Sequence, residues 1–134
     1  MSRTATEQIL DRGKSVAISL LPALFNIFEK WGLSGKQQMV LLGQTNEKTI
    51  YNWKNNPEKA KLSKDLLERA SYILSIYKSL QILLPDESQA DAWLSNPNDN
   101  SNFNSATPLE RMLAGHVVDL AEVRNFLDAE RGGW

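Results

Sequence analysis

Residues that could perform covalent or metal chemistry are few and scattered in this sequence. The chain has one histidine, His116, and no cysteine, whereas catalytic triads and metal sites need clustered His, Cys or carboxylate side chains. Acidic pairs such as Asp128 and Glu130 fall on a charged helix face, where such residues more often keep a protein soluble. No glycine-rich phosphate-binding loop is present. We therefore predict a protein that is not an enzyme and that has no metal or cofactor.

The residue types suited to nucleic-acid recognition are concentrated in one segment, SGKQQMVLLGQTNEKTIYNWKNNPEK, over residues 34–59. Apolar residues 39–42 precede Gly43, which permits a tight turn, and Thr45 or Asn46 can cap a second helix. Ile50 and Trp53 are three residues apart and are expected to face inward. This pattern favours a DNA-binding helix-turn-helix over an ordinary helical hairpin with a polar outer face.

The outer face of that second helix is polar and rich in hydrogen-bonding groups. Asn pairs bidentately with adenine and Lys with guanine, so these residue types suit major-groove reading. We predict that the DNA-binding residues are Asn46, Glu47, Lys48, Thr49, Tyr51, Asn52 and Lys54. Lys54 is expected to contact backbone phosphates, together with Lys59, Lys61 and Lys64.

Charge is distributed unevenly along the chain. Residues 1–81 hold twelve Lys or Arg and seven Asp or Glu, a net charge of +5, whereas residues 82–134 hold three and nine, a net charge of −6. A basic half suits a polyanion such as DNA, and an acidic half is freer to bind protein. Chance variation on solvated faces is the alternative explanation.

Apolar periodicity predicts an all-α fold with two long helices. The first runs from about Val16 with apolar residues at three- and four-residue steps, and Gly32 stands where a left-handed cap is expected. Pro22 either begins this helix or kinks a longer one. The second begins at about Ser63 and stops before Pro85. Its apolar stripe is widened by further apolar residues, so this helix is expected to be central. The stripe comprises Leu66, Ala70, Ile73, Tyr77, Leu80 and Leu84, and the added residues are Leu67, Leu74 and Ile76.

Shorter helices are predicted in the C-terminal half. Ser88 is expected to cap a helix carrying Ala92, Trp93 and Leu94, and Phe103 in the following polar loop is expected to plug the core. Thr107 and Pro108 are typical of a helix start, and Gly115 of its end. Asp119 and Glu122 repeat the capping spacing before a last helix, whose inward residues are expected to be Leu120, Val123 and Leu127. This half has too little apolar chain for a large core, so it must pack on the long helix or on another protein.

The absence of cysteine and the shortness of the apolar stretches indicate a protein of the reducing cytoplasm. The longest apolar stretch, VAISLLPALFNIF, is too short to span a bilayer and is interrupted by polar residues and Pro22. We expect no membrane association.

Several of these segments, taken in order, resemble the Xre/MbcA/ParS antitoxin family. They are WGLSGKQQMVLLGQTNEKTIYNWK, LSKDLLERASYILSIYKSLQILLP, AWLSNPN with the later TPLERMLAG, and the closing VRNFLDAERGGW. The resemblance covers nearly everything after residue 20. It implies an Xre-like helix-turn-helix that binds the promoter of its own operon, and a C-terminal domain that neutralises a partner toxin.

The resemblance also implies details of that partner. The usual toxin has a RES domain and consumes NAD, and the C-terminal region of the antitoxin blocks the mouth of its active site. The toxin-binding residues implied here are Arg124, Leu127, Arg131, Gly132, Gly133 and Trp134. We expect a DNA-binding domain over residues 1–81 and a toxin-binding domain over residues 82–134.

Two further expectations concern assembly and alternatives. A homodimer is expected, because helix-turn-helix proteins usually bind paired half-sites with two-fold symmetry. The first fifteen residues fit the family less closely and are expected to form a mobile arm or a contact between antitoxin copies. The alternative function is a stand-alone transcriptional regulator whose C-terminal half dimerises or senses a ligand.

Overall fold

The protein is described here by a computed structural model that covers residues 4–97 and 106–132. Every regular element in these ranges is helical, which confirms the predicted all-α class. Two single 3₁₀ turns, Pro57–Lys59 and Trp93–Ser95, join the α-helices. The α-helices are α1 (Ala5–Lys30), α2 (Gly35–Leu41), α3 (Glu47–Asn55), α4 (Lys64–Leu83), α5 (Glu87–Ala92), α6 (Pro108–Met112) and α7 (Val117–Glu130).

Helix α1 begins much earlier than the predicted start at Val16. Thr4 and Glu7 form a reciprocal capping box, in which each side chain accepts a hydrogen bond from the other residue's amide, at 3.1 and 3.3 Å. Residues 5–15, which are expected to form a mobile arm or a contact between antitoxin copies, are helical. Pro22 lies inside the continuous helix. The helix ends as predicted before Gly32, whose φ is +70°.

Helix α4 is central, as predicted, and packs against α1, α5 and α7. Ser63 caps its first turn by accepting from the Leu66 amide at 3.1 Å, and Pro85 follows its end. The expected widening of its stripe is correct for Ile76, which is fully buried, but wrong for Leu67 and Leu74. These two residues are seven apart and share a face that the packing helices leave in solvent.

The start of α5 differs from the prediction. Asp86 is the cap, because its Oδ1 accepts from the amides of Ser88 and Gln89 at 3.0 and 3.3 Å. Ser88 is therefore the second helical residue, and its hydroxyl donates to the same carboxylate at 2.8 Å. Trp93 lies beyond α5 in the 3₁₀ turn, where Leu94 is buried.

Helix α6 begins and ends as predicted. The Thr107 hydroxyl accepts from the Glu110 amide at 3.0 Å, Pro108 is the first helical residue, and Gly115 follows the end with φ of +96°. Phe103, predicted to plug the core, lies outside the described residues.

Helix α7 begins three residues earlier than the spacing of Asp119 and Glu122 indicates. His116 occupies the cap position, and the Asp119 carboxylate, in the first turn, accepts from the His116 amide at 3.1 Å. The predicted inward residues are confirmed. Leu120, Val123 and Leu127 are buried against α4, so the C-terminal half does pack on the long helix.

Candidate functional site

The turn between α2 and α3 is fixed by backbone hydrogen bonds and a glycine. Gly43 has φ of +68°, and the amides of Gly43 and Gln44 donate to the carbonyls of Val40 and Met39 at 3.0 and 2.9 Å. Asn46 then caps α3, because its Oδ1 accepts from the Lys48 amide at 2.9 Å. The predicted helix-turn-helix geometry is therefore present, with Asn46 rather than Thr45 as the cap.

Helix α3 has one buried face and one exposed polar face. Ile50 is 2% exposed and Trp53 is half-buried, whereas Tyr51 is 70% exposed. The structure brings most of the predicted DNA-binding residues to the exposed side: Glu47, Lys48, Tyr51, Asn52 and Lys54, with Asn46 at the cap. Thr49 is half-buried, so it contributes less to this surface. The face presents a cation, a phenol and an amide to one side of a short helix, which suits a polar, negatively charged partner.

Two aspects of this face restrict what its side chains can do. The Asn46 amide oxygen already accepts a hydrogen bond as the cap, which fixes the side chain, and its NH₂ group is a donor for a base or phosphate. The Lys54 ammonium lies 5.3 Å from the centre of the Phe25 ring of α1, a cation–π contact that holds it at the side of α3 nearest α1. Lys59, Lys61 and Lys64 are exposed on the segment that follows. They supply positive charge beside the polar face.

Arg69 fixes the turn from beneath and was not predicted from the sequence. Its side chain is only 9% exposed, and its Nε donates to Asp65 at 2.9 Å. Its Nη1 donates to the carbonyls of Val40 and Leu41, both at 3.4 Å, and its Nη2 donates to Gly115 at 3.0 Å. One cation therefore satisfies carbonyls at the end of α2 and in the turn between α6 and α7. The signal in the sequence is its position, three residues after Leu66 and four before Ile73, on the buried stripe of α4.

The predicted toxin-binding residues lie around the end of α7. The Arg124 guanidinium is 4.9 Å from the centre of the Tyr72 ring, and its Nε is 3.5 Å from the Asp128 carboxylate. Arg131 is exposed, and its Nη1 donates to the buried Ser79 hydroxyl at 3.1 Å. Leu127 is 2% exposed. Its side chain contributes to the core and not to the exposed surface of α7.

The end of α7 is marked by Gly132, whose φ is +76°. Gly133 and Trp134, also predicted to bind toxin, lie outside the described residues. Next to this end is a cleft of about 260 Å³ between α4, α7 and the 3₁₀ turn, lined by apolar side chains and by Glu130. The Trp93 and Phe126 rings stack on one side of it, with their centres 6.0 Å apart and their planes at 14°. Sequence reasoning missed this cleft, because it depends on the approach of two residues 33 positions apart.

The two groups whose pKa values are shifted in the structure, Lys30 and Asp86, lie away from these surfaces. A hydrogen bond to the Tyr77 hydroxyl, and then one to Glu87, raises the pKa of Lys30 above its usual 10.5. The hydrogen bond from the Ser88 hydroxyl lowers the pKa of Asp86 below its usual 3.8. The Lys30 hydrogen bonds link α1 to α4 and α5, whereas the Asp86 hydrogen bond lies within the cap of α5.

Two further properties bear on function. Among the residues that the structure describes, no three His, Cys, Asp or Glu side chains are grouped so that they could hold a metal ion. Over the same ranges, no helix is both long and apolar enough to cross a bilayer.

A helix-turn-helix joined to a second small helical unit through one long helix defines a class of DNA-binding regulator. Comparison with known proteins shows which family within this class the chain belongs to. Residues 14–75 match the antitoxin Xre-like helix-turn-helix domain, and residues 79–133 match the antitoxin Xre/MbcA/ParS C-terminal toxin-binding domain. The uncharacterized protein y4oB of Sinorhizobium fredii is 45% identical over 113 residues, which are 84% of each chain. The chain belongs to the Xre/MbcA/ParS antitoxin family of type II systems, which is not an enzyme family.

Proposed function

We propose that this antitoxin neutralises a RES-type, NAD-consuming toxin by occluding its active site, and that it represses its own operon as a homodimer. Membership of the family supplies a toxin partner and a DNA-binding domain. The finer statements rest on the resemblance and on the geometry of the two ends of the molecule.

The exposed face of α3 carries the DNA-binding part of the proposal. Lys48, Tyr51 and Asn52 are exposed on a helix whose opposite side is anchored by buried Ile50. A preformed turn and cap hold that helix, so little conformational entropy is lost when it enters a major groove. We propose that these three residues read bases and that the neighbouring lysines contact phosphates.

The end of α7 carries the toxin-binding part. Arg131 is held to Ser79 of α4, and Arg124 is held over Tyr72, so two cations lie on the last turns of α7 and at its end. Gly132, Gly133 and Trp134 follow, and the resemblance assigns this element to the toxin's active-site mouth. Trp and Arg are the residue types that most often anchor a protein interface. We propose Arg124, Arg131, Gly132, Gly133 and Trp134 as the toxin-contacting set.

The DNA-binding part is tested by replacing Lys48, Tyr51 and Asn52 together with alanine. The variant is expected to lose binding to its own promoter in a mobility-shift assay and to keep toxin binding, because the three side chains are exposed. Lys78→Ala, at an exposed lysine of α4, is the control and is expected to bind DNA normally. Affinity of the native chain should fall steeply with salt, since phosphate contacts release counterions. Loss of DNA and toxin binding together would instead mean that α3 has a structural role.

The toxin-binding part is tested by co-expression with the product of the neighbouring gene. The full chain is expected to restore host growth and to co-purify with the toxin, and a chain stopped after Glu130 is expected to fail. A chain lacking only Trp134 measures how much of the toxin binding depends on this aromatic side chain. Equal rescue by the full and shortened chains would place toxin binding in the helices. If neither chain bound the neighbour, the stand-alone regulator would be the better description.

A further inference from the structure

Two contacts between α4 and α7 repeat at the same interval along both helices. The Arg124 guanidinium lies 4.9 Å from the centre of the Tyr72 ring, and Arg131 Nη1 donates to the Ser79 hydroxyl at 3.1 Å. Each contact joins residues 52 positions apart in the chain, and the second contact comes seven residues after the first on both helices. The two helices therefore run side by side in the same direction, and α4 supports both arginines.

These contacts hold the arginine side chains without burying them. Arg131 is exposed and Arg124 keeps 31% of its side chain exposed, whereas Ser79 is fully buried and Tyr72 is half-buried. A side chain packed in the core has few alternative positions, so the supports on α4 are themselves fixed. Seven residues are about two turns of α-helix, so the two cations lie on one side of α7, about 10 Å apart along it.

The two arginines stand out in a domain that is otherwise acidic. Residues 79–133, which match the toxin-binding domain, contain nine Asp or Glu and three cations, which are Arg111, Arg124 and Arg131. Arg111 is engaged within the domain, since its Nη1 lies 3.4 Å from Glu122 and 3.9 Å from Asp119. The other two cations therefore form a local positive site, which is complementary to acidic groups on a partner.

We propose that this arginine pair, Arg124 and Arg131, binds two carboxylates of the toxin that lie about 10 Å apart. The inference rests on the proposed function and names the chemistry of the partner at this site. Tyr72 and Ser79 are the positioning residues, which hold the pair before the toxin binds. A guanidinium binds a carboxylate through two parallel hydrogen bonds, so the orientation of its plane matters. A side chain that is already held also loses less conformational entropy on binding.

The acidic residue between the two arginines favours two separate carboxylates over a single shared one. Asp128 follows Arg124 by four residues and precedes Arg131 by three, and its carboxylate is 3.5 Å from Arg124 Nε. One toxin carboxylate placed midway between the arginines would lie beside Asp128, where like charges repel. One carboxylate at each arginine avoids this repulsion.

The first test measures how firmly the arginines are held in the free full-length chain. Nitrogen-15 relaxation of the arginine Nε–H groups gives an order parameter for each side chain. Tyr72→Leu is expected to lower the order parameter of Arg124 alone, and Ser79→Ala that of Arg131 alone, so each variant is the control for the other. Tyr72→Phe keeps the ring and is expected to restore the order of Arg124. An unchanged order parameter for either arginine would overturn the positioning role assigned to its support.

The second test measures the affinity of the full chain for the toxin encoded by the neighbouring gene, by calorimetry. Ser79→Ala is expected to weaken binding about two- to tenfold, because one long side chain must then be ordered on binding. In an Arg131→Ala background the same change is expected to have no further effect, since Ser79 acts through Arg131. Tyr72→Leu and Arg124→Ala form the matching cycle. Additive losses in either cycle would show a general structural role and overturn the positioning role.

The third test looks for the carboxylates of the toxin by zero-length cross-linking. Arg124→Lys and, separately, Arg131→Lys replace a guanidinium by an amine, which a carbodiimide joins to an adjacent carboxylate as an amide. Mass spectrometry of the treated complex is expected to find each new lysine linked to a different Asp or Glu of the toxin, and the treated native complex gives the background. A new lysine linked to no toxin carboxylate, or both linked to the same one, would overturn the two-carboxylate site.

Failure of this inference can be told from failure of the proposed function. Native toxin affinity in the double variant Arg124→Ala/Arg131→Ala would overturn the inference and leave toxin neutralisation intact. Arginines that are held as expected, in a chain that does not bind the product of the neighbouring gene, would refute the proposed function and the toxin carboxylates with it. The positioning roles of Tyr72 and Ser79 would then stand on the relaxation measurement.

Discussion

The α2–α3 and α6–α7 regions share one local arrangement but expose different surfaces. In each, a short helix ends at a glycine of positive φ, Gly43 or Gly115, and a capped helix follows. Arg69 donates to carbonyls at the end of α2 and to the Gly115 carbonyl in the turn between α6 and α7. The regions differ in the second helix, because α3 leaves its polar face in solvent whereas α7 buries an apolar row against α4. The turn is therefore common to both regions, and what differs is the set of side chains that the second helix leaves exposed.

Arg69→Ala is the change that should most strongly disturb both regions. It leaves carbonyls of Val40, Leu41 and Gly115 without their donor and opens a cavity beneath the turn. We expect the free energy of unfolding to fall by about 3–4 kcal/mol, measured by urea denaturation. Asp65→Asn, which removes only a half-exposed partner, should cost less than about 1 kcal/mol. Equal, small losses for the two variants would show that the two regions are not joined through Arg69.

Alanine substitutions at Gly43 and Gly115 should lower the free energy of unfolding by different amounts. A methyl group on Gly43 would lie 2.7 Å from the Arg69 Nε, whereas on Gly115 the nearest atom, Val40 Cγ1, is 3.8 Å away. Positive φ costs about 1–2 kcal/mol at either site, and displacement of a buried guanidinium adds to it at Gly43 only. Gly43→Ala is therefore expected to lower the free energy of unfolding by about 2–3 kcal/mol and Gly115→Ala by about 1–2 kcal/mol. The reverse order, in the same denaturation assay, would contradict the close approach of Arg69 to the turn.

Removing the Asn46 cap of α3, or the Asp119 carboxylate in the first turn of α7, should have a smaller and more selective effect. Asn46→Ala and Asp119→Ala each remove an acceptor for an amide at a helix start, and each is expected to cost about 1 kcal/mol. Only Asn46→Ala is expected to weaken promoter binding, since the first turn of α3 carries Lys48. Asp128→Ala, which affects an ion pair on the surface of α7, serves as a near-neutral control. Weakened DNA binding in Asp119→Ala would show that the α7 cap influences α3.

Much of the fold could be predicted because its signals are local. The cap at Ser63, the start at Thr107 and Pro108, and the turn glycines Gly43 and Gly115 follow from residue types alone. Two of the errors, at the starts of α5 and α7, arose where two local signals competed. Asp86 caps α5 ahead of Ser88, and α7 uses Asp119 from within its first turn. The boundary between domains near residue 81 stays a prediction, since α4 runs through it.

In the candidate site, too, the residues with local signals could be predicted and those that depend on distant contacts could not. The exposed side of α3 could be predicted from the inward spacing of Ile50 and Trp53, because a helix with two faces fixes both once one is known. Leu127 shows the limit of the resemblance, because a residue of a binding element can serve the core. Arg69 and the cleft at Trp93 and Phe126 could not be foreseen, because they depend on residues far apart in the chain.

The sequence by itself determined the all-α class, the helix-turn-helix and the charge contrast between the halves, because helix caps, turn glycines and apolar periodicity act over a few residues. Only the tertiary structure decided which polar residues are buried, that one guanidinium joins both turns, and that Ile9 and Val16 of α1 are exposed beside its core stripe. These features depend on which surfaces meet, and burial is a property of the packed helices together rather than of any single segment.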